Sequence, residues 1–268
     1  MKPIDYRQLR RFADLETLRA SDAALAQEAP ENRSAFIRTH EHECSELRDA
    51  LWRVGYAKCW YSEAVLQQGE GHVEHYRPKK RLHGSNHEGY WWRAFDWENL
   101  RLAHPTVNLR RTDYLTGRLA GKGSYFPLRD EANRAHNRDD EVSEEPVLLD
   151  PVVAADTRLI YFSEESGAPR PAVTKDQDEW CYRRAEASID YYHLNEGTWN
   201  AKRADLMAAV RKLCDQVEAI AFKEPRDQAS YNQKVDELVA YASPYQEFSA
   251  ACVQIIRERG LLEFLYVP

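Results

Sequence analysis

GHVEHYRPKK, residues 71–80, places an acid and a base side by side, Glu74 and His75, and follows them with Pro78 and two lysines. The short apolar and polar alternation around the pair predicts a β-strand. On an extended strand, neighbouring side chains point to opposite faces of the sheet. The two side chains can therefore serve one site only where the backbone bends or where the strand ends, and other parts of the chain have to complete that site.

The regions on either side of this stretch have helical spacing. Residues 5–55 contain an apolar stripe at i, i+3, i+4 and i+7, and helix is predicted again from Asp176 onward. Residues 56–128 differ, because glycine, proline and aromatic residues are frequent there and the apolar runs are short. The stripe residues are Leu47, Ala50, Leu51 and Val54 in the first region and Leu206, Val210, Leu213, Val217 and Ile220 in the last.

This pattern predicts an α+β fold dominated by helices, with a compact strand-and-loop module between helical flanks. The predicted regions are 1–55, helical; 56–128, the module; and 129–268, mainly helical. A short strand is expected at Arg158–Phe162, and the last two helices are expected to be separated by Pro244.

The composition is that of a folded globular protein. The chain has 268 residues, of which 43% are hydrophobic and 11% aromatic, which is more than a disordered chain carries. No apolar run approaches the roughly 18 residues that cross a bilayer, and the first residues lack the apolar centre of a signal peptide. We therefore expect a soluble cytoplasmic protein without a membrane segment. The five cysteines form no CxxC pair, so free buried thiols are expected.

The charge is unevenly distributed. The net charge is −7, yet residues 71–122 carry ten Lys or Arg against five Asp or Glu. A basic island in an acidic chain is typical of a local site for a polyanion. A solvated surface of mixed charge explains the same numbers, and charge alone does not separate the two interpretations.

Two asparagines downstream extend the Glu-His pair into a constellation. Asn99 and Asn108 lie nine residues apart in AFDWENLRLAHPTVNLRR, residues 94–111. The second strand is predicted to begin near Asn99, and a helix is predicted to begin near Pro105, since proline is favourable in a first helical turn. The order Glu-His, Asn, Asn has the spacing of HNH, or ββα-metal, endonucleases.

Phosphodiester hydrolysis in such a site needs a base that activates water and a divalent ion that stabilises the developing charge. His75 is the candidate base, and Asn99 would brace the loop and orient it. Glu74 and the side-chain oxygen of Asn108 would hold Mg²⁺ or Mn²⁺, because hard cations take oxygen ligands. The residues expected to contact phosphates are Lys79, Lys80, Arg110 and Arg111.

The sequence around these residues makes the nuclease interpretation more specific. From about Lys58 to Arg203 the chain resembles a bacterial HNH endonuclease family that includes the nuclease subunit of Septu-type antiphage defence and nucleases linked to some retrons. The matching blocks are CWYSE (59–63), VEHYRPK (73–79), YWWRAFDWENLRLAH (90–104), PTVN (105–108), FPL (126–128), EEPVLLDP (144–151) and ASIDYYHLN (187–195). The resemblance implies an endonuclease, with DNA the favoured substrate, that works in a defence complex with an ABC/SMC-like ATPase. It leaves open whether the chain forms an oligomer.

The chain departs from this family at the structural zinc site. The family commonly has two CxxC knuckles, and the corresponding positions here are Cys59 with Ser62 and His104 with Val107. Valine cannot bind zinc and serine is a poor ligand, whereas a closed tetrahedral site needs four ligands. No structural zinc is expected, and tryptophan packing is expected to replace it. Two alternatives stay open: a catalytically inactive interaction subunit with the same fold, and a nuclease directed at RNA such as tRNA.

Overall fold

The computed structural model describes residues 1–112, 119–223 and 227–263 of the chain. Its helices are α1 (Glu16–Gln27), α2 (Pro30–Glu46), α3 (Arg48–Val54), α4 (Pro105–Asn108), α5 (Glu179–Tyr191), α6 (Gly197–Ala221), α7 (Gln228–Ala242) and α8 (Ser249–Glu258). Its strands are β1 (His72–His75), β2 (Leu100–Ala103), β3 (Arg111–Thr112), β4 (Leu119–Ala120), β5 (Ile160–Phe162) and β6 (Pro169–Pro171). In the described residues these strands pair as three two-stranded antiparallel sheets. The predicted α+β class, with more helix than strand, is confirmed.

The N-terminal helices follow the predicted apolar stripe. Helix α2 begins at Pro30, which suits a first turn, and it buries Ile37 and Cys44. Helix α3 buries Ala50, Leu51 and Val54, three members of the stripe. Helix α2 packs against both α3 and β1. This helical region therefore supports one side of the hairpin that β1 and β2 form.

The C-terminal helices also match the prediction. Helix α6 packs against α7 and α8, and Val210, Leu213 and Val217 are buried along its inner face. Helices α7 and α8 end and begin on either side of Pro244, as expected. Strand β5 lies within the stretch predicted to be extended.

The centre of the chain is the β1–β2 hairpin. Glu74 lies opposite Arg101, and His75 lies opposite Leu100. Strand β2 begins immediately after Asn99, and α4 begins at Pro105, as the spacing predicts. Helix α4 has a single turn: Leu109 returns to extended backbone, and the chain then enters β3.

One large cluster of buried hydrophobic residues includes members of all three predicted regions, for example Leu51, Leu102 and Ile256. A smaller cluster, which includes Tyr90 and Phe126, lies under the loop that follows β1. The division at residues 55 and 128 stays a prediction, and the main core is shared across it. None of the helices in the described ranges has the length and apolar content that would let it cross a membrane.

Candidate active site

Glu74 is buried and accepts two strong hydrogen bonds. The Tyr61 hydroxyl donates to Oε2 at 2.6 Å, and the Lys122 ammonium pairs with Oε1. The same ammonium donates to the His75 carbonyl oxygen at 2.7 Å. Burial lowers the pKa of Lys122, while the charge of Glu74 opposes that shift. The carboxylate on β1 is thus held in the interior by a cation and a phenol.

Lys122 reaches Glu74 because the chain leaves α4 and comes back to it. After the β3–β4 pairing, the Lys122 amide donates to the Val107 carbonyl at 3.0 Å, and the Gly123 amide donates to the Asn108 carbonyl at 3.0 Å. Gly121 has a φ of +104°, and a Cβ atom there would overlap the Leu109 carbonyl. Only glycine allows this close return.

His75 makes its contacts apart from those of Glu74, as neighbouring residues on a strand do. Its Nε2 lies 2.8 Å from the Ala94 carbonyl oxygen, which also accepts from the Cys44 thiol at 3.4 Å. Burial, and then the positive charge of Lys79, lower the pKa of His75 to about 3. The ring is therefore neutral near pH 7. Because a carbonyl can only accept, Nε2 carries the ring proton and Nδ1 is the basic nitrogen.

Asn99 fastens the segment after β1 to the start of β2. Its Oδ1 accepts from the Arg77 amide at 2.8 Å, and its Nδ2 donates to the Arg77 and Arg93 carbonyls at 2.9 and 3.2 Å. The Arg93 carbonyl immediately precedes Ala94, whose own carbonyl holds the His75 ring. These are the contacts that the proposed bracing role requires, although the role itself stays a prediction.

Asn108 contacts β1 through the side chain of His72. Its Nδ2 lies 3.4 Å from Nδ1 of His72, which shares a strand face with Glu74. The carboxylate of Glu74 and the carboxamide of Asn108 are donors that suit a hard divalent ion, and the buried ammonium at Glu74 marks a position where the fold holds a cation. In the described part of the chain, His, Cys, Asp and Glu form no group of three that could hold a metal. A divalent ion here would thus depend on few protein ligands and on water.

The basic residues expected at phosphates lie in different surroundings. Lys79 and Lys80 both lie near Glu41 on α2, with nitrogen-to-oxygen distances of 3.7 and 3.6 Å. The Arg110 guanidinium lies over the Tyr125 ring, 4.5 Å from its centroid. The side chain of Arg111 falls outside the described part of the structure, so its predicted contact stays a prediction.

The two zinc-knuckle positions lie next to each other in the fold, although Ser62 and Val107 stand where two of the four zinc ligands are expected. The Cys59 sulfur accepts hydrogen bonds from the Ser62 and His104 backbone amides, and burial raises the pKa of this thiol. Nδ1 of His104 accepts from the Thr106 amide at 3.1 Å, and Val107 is fully buried. The fold at the knuckles is thus made by backbone hydrogen bonds and apolar packing. The absence of a structural zinc stays a prediction.

The sequence analysis missed the two partners of Glu74. Lys122 stands directly before the GSYFPL stretch, within a region already rich in Lys and Arg, so nothing in its sequence context separates it from a surface charge. Tyr61 lies in the CWYSE block, where an aromatic residue is read first as core. Their contact with the Glu74 carboxylate is seen only in the folded structure, where both residues pack against β1.

Comparisons with known proteins support a relation to a defence protein. No model of a known protein family matches the chain. The chain is similar to the Septu protein PtuB of Bacillus mycoides (strain KBAB4), with 27% identity over 172 residues. That match covers 59% of this chain and 50% of the relative, so the chain spans about half the length of the curated protein it resembles.

Proposed function

We propose that the chain is a metal-dependent endonuclease of the HNH type that cleaves phosphodiester bonds in nucleic acid, with DNA the favoured substrate, as part of an antiphage defence system. The observation that carries the proposal is the β1–β2 hairpin. It places Glu74 and a neutral, buried His75 side by side at the end of β1, where Asn99 fastens the segment that follows the strand. The similarity to a Septu protein supports the defence context.

His75 acts as the base in this proposal. The Ala94 carbonyl fixes the ring through Nε2, which leaves Nδ1 to take a proton from the attacking water. A depressed pKa keeps the imidazole in its basic form at neutral pH, and it also limits its strength as a base. Approach of the substrate phosphate adds negative charge beside the ring, which raises its proton affinity when it is needed.

Glu74 and Asn108 would hold a Mg²⁺ or Mn²⁺ ion. When bound, such an ion supplies charge stabilisation for the phosphate and the leaving oxygen. The chain itself supplies a second cation at the same carboxylate, the ammonium of Lys122. Lys79, Lys80, Arg110 and Arg111 would position the nucleic-acid backbone.

The partner is proposed from the resemblance to Septu-type systems, in which an ABC/SMC-like ATPase accompanies the nuclease. The charge distribution is consistent with such delivery. Outside residues 71–122 the chain is acidic, and net negative charge weakens non-specific binding to nucleic acid. A partner that brings the chain to its target removes the need for strong intrinsic affinity.

One observation favours a second candidate, a non-catalytic subunit that keeps the fold. Both oxygens of Glu74 are already satisfied, by Tyr61 and by Lys122, in a fully buried setting. A carboxylate paired in this way is also what a fold would contain if it had given up a metal ion. The loss of two of the four expected zinc ligands, at Ser62 and Val107, fits the same interpretation.

Incubation with plasmid DNA and with tRNA, in Mg²⁺, in Mn²⁺ and in EDTA, with and without the ATPase partner, separates these functions. Metal-dependent cutting is expected for the wild type and is expected to be lost in His75→Ala. His136→Ala, which changes an exposed histidine, is the control and is expected to cut normally. Cutting that survives His75→Ala refutes the assigned base. Cutting of tRNA alone favours the RNA-directed enzyme, and no cutting under any condition favours the non-catalytic subunit.

A further inference from the structure

A cleft of about 710 Å³ opens between helix α2 and the loop that follows β1. Its α2 wall includes Arg33 and Arg38, and its loop wall includes Lys79, Lys80 and Arg81. Trp91 lies at the cleft as well, with the Arg33 guanidinium over its ring, 3.7 Å from the centroid. The cleft is large enough to admit part of a polymer chain rather than only a small ion.

The charge of the cleft is opposite to that of the molecule. Five cationic side chains line it against two acidic ones, Glu31 and Glu88, whereas the whole chain carries −7. Arg38, Lys80 and Arg81 are exposed, so their charged groups can reach a ligand. Basic groups on two facing walls produce a focused positive field, which is the arrangement that holds a phosphate backbone.

The cleft lies next to the candidate base. Helix α2 packs against β1, and Cys44 of α2 shares the Ala94 carbonyl with His75. Lys79, which lines the cleft, follows His75 by only four residues after the end of β1. A strand that passes through the cleft is therefore led towards the side of β1 where His75 lies.

We infer that α2 is one wall of a nucleic-acid binding cleft, in which Arg33 and Arg38 hold backbone phosphates of a DNA strand opposite Lys79 and Lys80. The identity of this DNA as the enzyme's substrate rests on the proposed function. The Arg33–Trp91 pair adds a flat cationic surface on which an unpaired base can stack. The helical N-terminal region is thus part of the substrate path and not only a scaffold.

Glu41 provides a second test, in which a substitution is expected to strengthen DNA binding and not to weaken it. Its carboxylate lies within 4 Å of the ammonium groups of both Lys79 and Lys80. It therefore occupies the position at these lysines that a phosphate would take. Removing its charge in Glu41→Gln is expected to tighten DNA binding, because the lysines no longer have an internal competitor.

The experiment measures binding without cleavage. Fluorescence anisotropy of a short labelled DNA strand, and of its duplex, is recorded in EDTA over a series of salt concentrations. Arg38→Glu is expected to raise the Kd roughly tenfold and to reduce the salt dependence by about one phosphate contact. Lys212→Glu, which makes the same kind of change at an exposed position in the middle of α6, is the matched control and is expected to leave both quantities near wild type.

Three outcomes overturn the inference: no binding by the wild type, equal loss in Arg38→Glu and Lys212→Glu, or unchanged binding in Arg38→Glu. Failure of the proposed function is seen separately, since it concerns cleavage. A chain that binds through Arg38 and never cuts supports the cleft and refutes the nuclease. If cleavage depends on His75 but Arg38→Glu binds DNA as well as the wild type, the nuclease is supported and the cleft is refuted.

Discussion

At the scale of single residues, the contact between Glu74 and Lys122 dominates the candidate site. Both side chains are almost fully buried, so neither charge has water to stabilise it. Burying two charges is costly, and their mutual attraction and hydrogen bonds have to offset that cost. Removal of one partner leaves the other as an uncompensated charge in the interior. The pair is therefore a sensitive probe of whether Glu74 can exchange its cation.

Lys122→Met is expected to destabilise the metal-free protein by about 3–5 kcal/mol, because Glu74 loses its buried counter-ion. Mn²⁺ is expected to raise the melting temperature of this variant more than that of the wild type, since the divalent ion replaces the missing ammonium at Glu74. Differential scanning fluorimetry with Mn²⁺ and with EDTA measures both effects.

Lys58→Met is the matched control for this variant. It also removes a buried lysine from a carboxylate, Glu63, which is not one of the proposed metal ligands and which also pairs with the N-terminal ammonium. It is expected to lose stability without any rescue by Mn²⁺. If Mn²⁺ affects both variants and the wild type equally, Glu74 is not a metal ligand.

At the scale of elements, the loop between the two strands of the hairpin is fixed by specific hydrogen bonds. His87 binds this loop to a distant segment: its Nδ1 accepts from the Gly89 amide at 3.1 Å, and its Nε2 lies 2.8 Å from the Ala135 carbonyl. The Leu82 amide donates to the His87 carbonyl at 3.0 Å. This arrangement requires a neutral ring, because a protonated Nδ1 cannot accept from an amide.

Partial burial lowers the pKa of His87 from its usual 6.5, and the charge of Arg134 acts in the same direction. The folded state then binds fewer protons than the unfolded state below that pH, so the stability that His87 contributes is present above about 6.5 and declines as the pH falls. His87→Asn should therefore differ from the wild type in free energy of unfolding more at neutral than at mildly acidic pH. Urea titrations over this range measure the difference, and a gap that widens on acidification contradicts the assigned protonation state.

The hairpin also indicates what sequence can and cannot predict. The strand at Glu74-His75, the start of β2 near Asn99 and the start of α4 near Pro105 were predictable, because strand alternation and a proline in a first turn are local signals. The single-turn length of α4 was not, since it depends on the return of Gly121 to Leu109. The partners of Glu74 and the α2 wall of the basic cleft could not be predicted from the sequence either, because they also depend on contacts between distant segments. These features are contacts between segments, and no local pattern encodes them.

At the scale of the whole molecule, the candidate site stands on a core that both helical flanks share. Lys58, in the central region, donates to the Gln246 carbonyl at 2.8 Å, and Glu63 accepts from the Ser249 hydroxyl at 2.9 Å at the start of α8. The same helix buries Ile255 and Ile256 in the main cluster. A destabilising substitution in α8 is therefore expected to lower the stability of the central hairpin as well.

Ile256→Ala tests this coupling at a position that is fully buried on α8. The lost contacts and the remaining cavity are expected to cost about 2–5 kcal/mol. If the core is shared, urea unfolding followed by tryptophan fluorescence, which reports largely on the aromatic-rich central region, should shift to lower urea together with unfolding followed by circular dichroism. Arg257→Ala, the exposed neighbour, should leave both curves in place. Two separate transitions, with the fluorescence curve unmoved by Ile256→Ala, would instead mean that the predicted regions fold independently and that the hairpin does not depend on α8.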